Sequence, residues 1–299
     1  MAWPSAPYLV VHSFHRGPGE RIAQGAVRLS ALLSGCVVVA LLAFLVHFCL
    51  PLLDPEALSG LLSVKWDPFH GGFGILTMVV GSLLLACTAV PLAFPLAVGI
   101  CCFIHGIGSP RASRIVLRTV QLMTSVPTVV YGFVAVFVMV PLLRTTFHHG
   151  SGFSWLAASL GLVVLALPTM TLMIHSQFQV AEPRVRLAAA ALGLTRQQRL
   201  IHLVIPLSRR GFSAALVLGF GRAVGDTMIP LMLSGNAAQM PGSMLDSVRA
   251  LTAHIALVVA TDSHSLAYLS LFAAGLFLFM TTAAVTIALR WIQGRGGRP

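Results

Sequence analysis

Six long apolar stretches constrain this chain more than any other feature of its sequence. They run over about residues 30–50, 73–104, 117–143, 154–176, 210–234 and 266–291. A transmembrane helix needs roughly 20 consecutive apolar residues, so each stretch is long enough to cross a bilayer. Charged residues are only 9% of the chain, whereas they are about a quarter of a typical soluble domain. The sequence therefore predicts an all-α membrane protein with about six transmembrane helices.

The basic residues predict how these helices are oriented. Lys and Arg in short loops stay on the cytoplasmic side of a membrane. Fifteen of the 19 precede the first or third stretch, separate the fourth from the fifth, or follow the sixth. Lys65, Arg144 and Arg249 lie in the opposite loops, and Arg222 lies inside the fifth stretch. Both termini are thus predicted to be cytoplasmic, with segments 1–29 and 293–299 flanking a transmembrane domain at 30–292.

Charge and cysteine usage argue against several other classes of protein. The net charge is +11, but the arginines fringe the apolar stretches instead of forming one patch, which disfavours nucleic-acid binding. All five cysteines fall inside apolar stretches without the spacing of a disulfide framework or a zinc site. We therefore expect small buried thiols and no metal.

One long polar interruption, VRLAAAALGLTRQQRLIHLVIP at residues 185–206, separates the fourth and fifth stretches. We predict two short helices at an angle, one from about Pro183 to Leu192 and a basic one from Arg196 to Val204. Gly193 can adopt the left-handed conformation that ends the first helix, and Thr195 can cap the second. The basic second helix would offer a partner an electrostatic handle.

This interruption resembles the cytoplasmic coupling loop of ABC-importer permeases. The family pattern consists of two alanines, three residues, glycine, nine residues and then aliphatic-x-aliphatic-proline. Leu187 stands where the family has glutamate. The resemblance implies a coupling loop at 177–207 that docks an ATPase. The matching residues are Ala188, Ala189, Gly193, Leu203, Ile205 and Pro206. The alternative is an amphipathic linker between two spans.

The third stretch contains VPTVVYG at residues 126–132, which resembles an element of phosphate-import permeases. Pro127 frees backbone carbonyls and Gly132 admits close approach of another helix. Ser125, Thr128 and Tyr131 supply hydroxyls at membrane depth, as the lining of a substrate path would. A proline-kinked structural helix is an equally good interpretation.

The fifth stretch carries two ionisable residues, Arg222 and Asp226. Their spacing of four places them on one helix face, and a charge at mid-span costs at least roughly 2.5 kcal/mol. Gly221 and Gly225 would let a neighbouring backbone or an anion approach. The run GRAVGDT, ending at Thr227, resembles the G-R-A-x-G-E-T of phosphate permeases. We therefore expect Arg222 to meet the anion and Asp226 to hold Arg222 when no anion is present. An Arg/Asp pair that only pins two helices is the alternative.

Residues 236–265 include an apolar segment too short to span, and we expect a re-entrant or interfacial helix. Gly235-Asn236, Pro241 and LTAHIA at 251–256 resemble the C-type subunit of phosphate permeases. Arg249 and His254 are then candidates for the outer mouth, although a rim salt bridge between Arg249 and Asp246 is a simpler explanation.

Taken together, these resemblances imply a permease subunit with the fold of ABC type I importers, in a multi-pass inner-membrane location, moving inorganic phosphate. They also imply a second permease subunit, a dimeric ABC ATPase that binds ATP and Mg, an external phosphate-binding protein and surrounding lipid as partners. The chain has no P-loop of its own, because its only lysine, Lys65, lacks that pattern. Alternatives are a permease for another oxyanion such as molybdate or sulfate, an intramembrane enzyme, or a secondary transporter.

Overall fold

A computed structural model of the chain describes residues 18–50, 54–70, 72–148, 150–259 and 266–295. The chain divides into two units. The first ends at His47 and consists, where described, of most of helix α1 (Pro18–Cys49). The second unit starts at Phe48 and carries the remaining helices. The N-terminal segment 1–17 and the tail 296–299 lie outside the described residues.

The second unit opens on its outer side with a small hairpin. Helix α2 (Pro55–Leu61) is followed by strand β1 (Trp66–Asp67), which pairs antiparallel with β2 (Gly72–Phe73). Trp66 pairs with Phe73 across this ladder. The membrane helices of the second unit start immediately after it.

Ten further helices complete the described chain. They are α3 (Leu76–Cys102), α4 (Pro110–Ser125), α5 (Thr128–Phe147), α6 (Trp155–Ala191), α7 (Arg196–Arg199), α8 (Ile205–Leu207), α9 (Arg209–Gly225), α10 (Met228–Leu233), α11 (Leu251–Val258) and α12 (Leu266–Arg295). Two π-helical turns, Phe103–Ile107 and Leu200–Val204, extend α3 and join α7 to α8.

Five described helices are long and apolar enough to cross a membrane, namely those over residues 24–49, 76–107, 128–147, 155–191 and 270–288. A sixth crossing exists if α9 is counted together with the segment Arg196–Leu207, from which it departs by 68°. The all-α prediction of about six spans is therefore confirmed.

The third apolar stretch is not one span, and its predicted start at residue 117 is wrong. α4 ends at Ser125 and α5 begins only at Thr128, after Pro127. The proline disfavours helical geometry at the residue before it, and Val126 has φ −77° and ψ 126°, which is extended backbone. Residues 117–125 thus belong to a separate amphipathic helix.

The predicted coupling loop at residues 177–207, here called the coupling segment, is also built differently from the prediction. Its alanine-rich half is not a separate short helix but the end of α6, which runs unbroken for 37 residues and includes Pro168 and Pro183. The turn at Gly193 and the cap at Thr195 are as predicted. Gly193 has φ +64°, and the Thr195 hydroxyl accepts the Gln198 N–H at 3.3 Å.

The main core lies where α3, α6 and α9 pack together. Small residues such as Ala93, Ala166 and Ala215 are fully buried there, and they let the helix axes approach closely. Gly219 of α9 makes one such close approach, because a Cβ at this position would lie 2.6 Å from the Met170 methyl group. This packing fixes the orientation of α9, which carries Arg222.

Among the cysteines, Cys49 and Cys101 are buried as predicted, and the Cys101 thiol donates to the Thr171 carbonyl at 3.2 Å. Cys36 and Cys87 are exposed, so the prediction of burial is wrong for them. All five thiols are free.

Candidate functional site

Arg222 lines an open cavity of about 610 Å³ between α6, α9 and α12. Thr169 of α6 and Thr286 of α12 add hydroxyl groups to its wall, and Gly221 of α9 lies beside the arginine. The Arg222 side chain is exposed to this space. A guanidinium and hydroxyls around one cavity can donate several charge-assisted hydrogen bonds to an anion. The sequence reading missed Thr169 and Thr286, since neither lies in a recognisable motif.

Asp226 does not share a helix face with Arg222, and that prediction is wrong. α9 ends at Gly225, and Asp226 is extended with φ −77° and ψ 135°. Its carboxylate accepts the Ile229 N–H at 2.8 Å and so caps the first turn of α10. In the described part of the chain, no Arg222 nitrogen lies within 4.0 Å of a carboxylate oxygen. Asp226 therefore organises the helix break instead of holding Arg222.

The helix break at Asp226 is tied to the segment that follows α10. The Thr252 hydroxyl of α11 donates to the Asp226 carbonyl at 2.8 Å, which satisfies an acceptor that the interrupted helix leaves open. Thr227 is half-buried at the start of α10 and accepts the Leu231 N–H through its carbonyl at 3.0 Å. In the fifth stretch, Arg222 before the break thus lines the cavity, whereas Asp226 and Thr227 stabilise the break and the start of α10.

The glycines beside Arg222 keep space open within this chain. Among the described residues, no atom would lie within 4 Å of a Cβ on Gly221 or Gly225, so the predicted close approach of a neighbouring helix is not made at these two positions. Because Gly221 lines the cavity, a larger residue there would fill it. Gly132 does fulfil its prediction, since a Cβ there would lie 2.7 Å from the Met232 sulfur.

The hydroxyl residues of the third stretch lie apart from Arg222. Tyr131 borders a second, almost wholly apolar cavity of about 310 Å³, which shares no lining residue with the Arg222 cavity. Its hydroxyl donates to the Met123 carbonyl at 2.7 Å and so bridges the Pro127 break. Ser125 is exposed and Thr128 is half-buried. The structure does not bring these three residues together with Arg222.

The outer segment contains the predicted short helix, α11, with a fully buried His254. The His254 ring packs edge-on against Trp66 at 4.4 Å. Burial and the nearby charge of Arg249 lower the pKa of His254 to about 4, so the imidazole is neutral at pH 7. His254 is therefore a packed core residue and not an accessible group of the outer mouth.

Arg249 makes no rim salt bridge with Asp246, contrary to the simpler expectation. Its Nε donates to the Asn236 carbonyl at 2.7 Å. The Asp246 carboxylate instead accepts the N–H groups of Gly242 and Ser243, each at 2.8 Å. Arg249 is half-buried, and burial lowers the pKa of its guanidinium.

The coupling segment presents an apolar surface around the Gly193 turn. The exposed fractions are 80% for Leu187, 71% for Leu192 and 57% for Ile201. Ala188 and Pro206 are exposed, Leu203 and Ile205 are half-buried, and Ala189 is 1% exposed. Leu187 thus extends the apolar surface, whereas Ala189 packs inside the chain.

The two arginines of the basic helix make hydrogen bonds within the chain, and the electrostatic handle that they would offer a partner stays a prediction. Arg196 donates to the carbonyls of Ile104, His105 and Gly108 at 3.0, 2.7 and 3.2 Å. These carbonyls lie where α3 ends in a π-turn and lack the partners of a continuing helix. Arg199 donates to Glu182 at 2.8 Å.

Glu182 also contacts a pair of histidines that no sequence pattern connects. Its second carboxylate oxygen lies 3.2 Å from His105 Nδ1, and His105 Nε2 lies 2.9 Å from His175 Nδ1. The network Arg199–Glu182–His105–His175 therefore links the coupling segment to the ends of α3 and α6. The separation of these residues in sequence explains why no motif revealed it.

A bundle of membrane-spanning helices with an arginine-lined cavity and a projecting cytoplasmic segment defines a membrane transport subunit. The pattern of one family of such subunits, described as "Binding-protein-dependent transport system inner membrane component", matches residues 100–295. The chain belongs to this family and is a multi-pass protein of the inner membrane. Family members are transport subunits and not enzymes.

Individual relatives agree with this assignment. The chain is 28% identical over 238 residues to the probable ABC transporter permease protein YqgH of Bacillus subtilis, covering 79% of this chain and 77% of that protein. It is 26% identical over 290 residues to the phosphate transport system permease protein PstC of Haemophilus influenzae, covering 91% and 92%. PstC of Xylella fastidiosa strain Temecula1 is 28% identical over 260 residues, with 80% and 79% covered.

Solved structures support the fold. A bacterial ABC transporter involved in the import of the acidic polysaccharide alginate superposes with a TM-score of 0.58 at 14% identity, covering 93% of this chain and all of that chain. The predicted type I importer permease fold is therefore confirmed.

Proposed function

We propose that the chain is the permease subunit of an ATP-driven importer and that its cargo is inorganic phosphate. The observation that carries this proposal is Arg222, a cation that faces an open cavity inside the membrane domain with no carboxylate within 4.0 Å in the described residues. A charge at that depth is expensive unless it serves a path or a partner. The relatives named as phosphate permeases support phosphate as the anion.

In this mechanism, Arg222 receives the anion through charge-assisted hydrogen bonds, and the hydroxyls of Thr169 and Thr286 complete the wall. The cavity is open, so water solvates the guanidinium when no anion is bound. The site therefore needs no resting partner such as Asp226, and the anion can leave without a buried charge being stranded. Release remains easy, as transport requires.

The remaining residues predicted to line the substrate path do not contact the anion at the Arg222 cavity in this proposal. Arg249 would attract the anion at the outer side, and Ser125, Thr128 and Tyr131 border the Pro127 break, where α4 and α5 can change their relative angle. Asp226 and Thr227 would hold the matching break between α9 and α10. The two breaks together would let the path open and close.

The coupling segment would dock the separate ATPase chain that supplies ATP hydrolysis. Leu187, Leu192 and Ile201 are exposed and would form its apolar contact, with Ala188 and Pro206 beside them. Leu203, Ile205, Ala189 and the Gly193 turn would hold the shape of the segment. A second permease subunit and an external phosphate-binding protein would complete the importer.

Arg222→Gln tests the proposed cargo site. We expect phosphate uptake by the reconstituted complex to fall at least about tenfold, since one lost bond to a charged group weakens binding by about 1.5–3 kcal/mol. The complex should still assemble and hydrolyse ATP at its basal rate. Full uptake by this variant, measured per assembled complex in vesicles, would refute the role of Arg222.

Molybdate and sulfate uptake by the same vesicles distinguishes the cargo. If molybdate or sulfate enters faster than phosphate and Arg222→Gln abolishes that uptake, the site is an oxyanion site and phosphate is the wrong cargo.

A further inference from the structure

A second cavity with arginines lies at the cytoplasmic end of the molecule, away from Arg222. Its volume is about 470 Å³, and it is lined by the end of α6 and by the junction of α8 with α9. Arg184, Arg209 and Arg210 contribute three positive charges to its wall, together with Gln177 and Ser208. It shares no lining residue with the Arg222 cavity.

The arginines of this cavity have no internal counter-charge in the described part of the chain. Among the described residues, no carboxylate oxygen lies within 4.0 Å of Arg184, Arg209 or Arg210. Glu182, the acidic residue nearest in sequence to Arg184, is already engaged by Arg199 and His105. Three unneutralised guanidinium groups around one cavity favour binding of an anion.

Ser208 is an independent sign of a missing ligand. The residue is only 3% exposed, and its hydroxyl has no hydrogen-bond partner within the described residues. A buried hydroxyl without a partner is unfavourable by about 1–3 kcal/mol, so such groups are rare and need an explanation. Ser208 also directly precedes Arg209, where α9 begins, and the N-terminus of a helix favours an anion.

The wall of the cavity is built by close packing between α6 and α9. A Cβ on Gly211 would lie 2.2 Å from the Gln177 Cγ, so glycine is required for the first turn of α9 to rest against Gln177. This contact brings Arg184 of α6 to the same cavity as Arg209 and Arg210.

We propose that this cavity binds a phosphate group on the cytoplasmic side, separately from the transport path. Three guanidinium groups, one hydroxyl and a helix N-terminus match a tetrahedral oxyanion with several acceptor oxygens. Free inorganic phosphate and the headgroup of an anionic phospholipid both present that chemistry. The assignment does not depend on which anion the importer carries.

The test uses the full-length chain in the Arg222→Gln background, which removes the proposed cargo site. In detergent, potassium phosphate is titrated against potassium chloride at equal ionic strength while the unfolding temperature is measured. In a parallel arm, the chain is placed in nanodiscs of phosphatidylcholine alone or mixed with phosphatidylglycerol. We expect phosphate or phosphatidylglycerol to raise the unfolding temperature, and the arm that responds identifies the source of the phosphate group.

Variants of the cavity decide whether this site is responsible. Arg209→Gln with Arg210→Gln should raise the half-saturating concentration about tenfold or more, whereas Arg118→Gln, an exposed arginine of α4 outside the cavity, should not change it. Ser208→Ala should weaken binding and leave the unliganded protein as stable or more stable, because it removes the orphan hydroxyl. Ser208→Ala also tests the site if the variant with both Arg209 and Arg210 replaced does not fold.

Three results would overturn the proposal. They are no stabilisation by either probe, stabilisation that the cavity variants leave unchanged, and a loss in Arg118→Gln equal to that in the double variant. None of these outcomes bears on phosphate uptake through Arg222.

Discussion

Arg222 and Asp226 are four residues apart but do different work. The sequence identifies both as unusual, because each is ionisable inside an apolar stretch. The spacing alone suggests a pair, yet the helix ends at Gly225 and the Asp226 carboxylate turns to the Ile229 N–H. Both residues could be picked out from the sequence. Their relative position could not, because it depends on a helix break for which Val224, Gly225 and Thr227 give no clear signal.

Asp226 should therefore matter for the fold of the break more than for the charge. Asp226→Ala removes the cap of α10 and should lower the free energy of unfolding by about 1 kcal/mol, as loss of helix N-caps generally does. Asp226→Asn keeps an oxygen acceptor and should cost much less. Denaturant unfolding of the two purified variants checks this order, and equal losses would contradict the capping role.

Arg196 is the residue whose importance the sequence concealed. In the sequence it is one of several arginines between two spans. In the structure its guanidinium donates hydrogen bonds to three backbone carbonyls at the end of α3. Only the fold brings residues 104–108 next to residue 196, so no local pattern predicts the contact.

Replacing Arg196 tests this link between the coupling segment and α3. Arg196→Lys retains the charge but cannot present the planar fork to three carbonyls, so we expect lower stability, on the order of 1–2 kcal/mol, and weaker co-purification of the ATPase. Arg186→Lys, at an exposed position of α6, is the matched control. If both variants behave alike, the carbonyl contacts do not position the segment.

At the scale of elements, the lengths of the apolar stretches predicted the membrane-spanning helices well. They predicted the breaks within these helices poorly. The third stretch failed because Pro127 separates two helices, whereas Pro168 and Pro183 lie within an unbroken α6. A proline pattern alone does not distinguish these cases, since packing against neighbouring helices decides whether the lost hydrogen bond is tolerated.

The turn at Gly193 was predicted correctly because its signal is local. Its φ of +64° is strained for residues with a Cβ, and nothing lies within 4 Å of a Cβ built there, so backbone conformation alone should decide a substitution. We expect Gly193→Val to abolish ATPase co-purification while the chain still inserts, and Gly193→Asn to retain it, because asparagine tolerates the left-handed region. Retention by both variants would show that the turn is not needed for docking.

At the scale of the whole molecule, the distribution of basic residues predicts the topology. Lys65, in the outer hairpin, has a side chain that is 78% exposed, while Arg114 lies exposed on α4 on the predicted cytoplasmic side. In intact spheroplasts, a membrane-impermeant maleimide should label Lys65→Cys and not Arg114→Cys, and inverted vesicles should show the reverse. Labelling of Arg114→Cys from outside would invert the assignment of both termini.

The unbroken length of α6 sets the distance between the membrane and the Gly193 turn. At 1.5 Å per residue, its 37 residues extend for about 55 Å, whereas the hydrocarbon core is about 30 Å thick. Roughly 25 Å of rod must then stand clear of the lipid tails. The length of α6 thus determines how far the Gly193 turn stands from the bilayer. A nitroxide spin label at position 187 should be relaxed by a water-soluble paramagnetic reagent. A label at position 164 should instead be relaxed by oxygen dissolved in the bilayer.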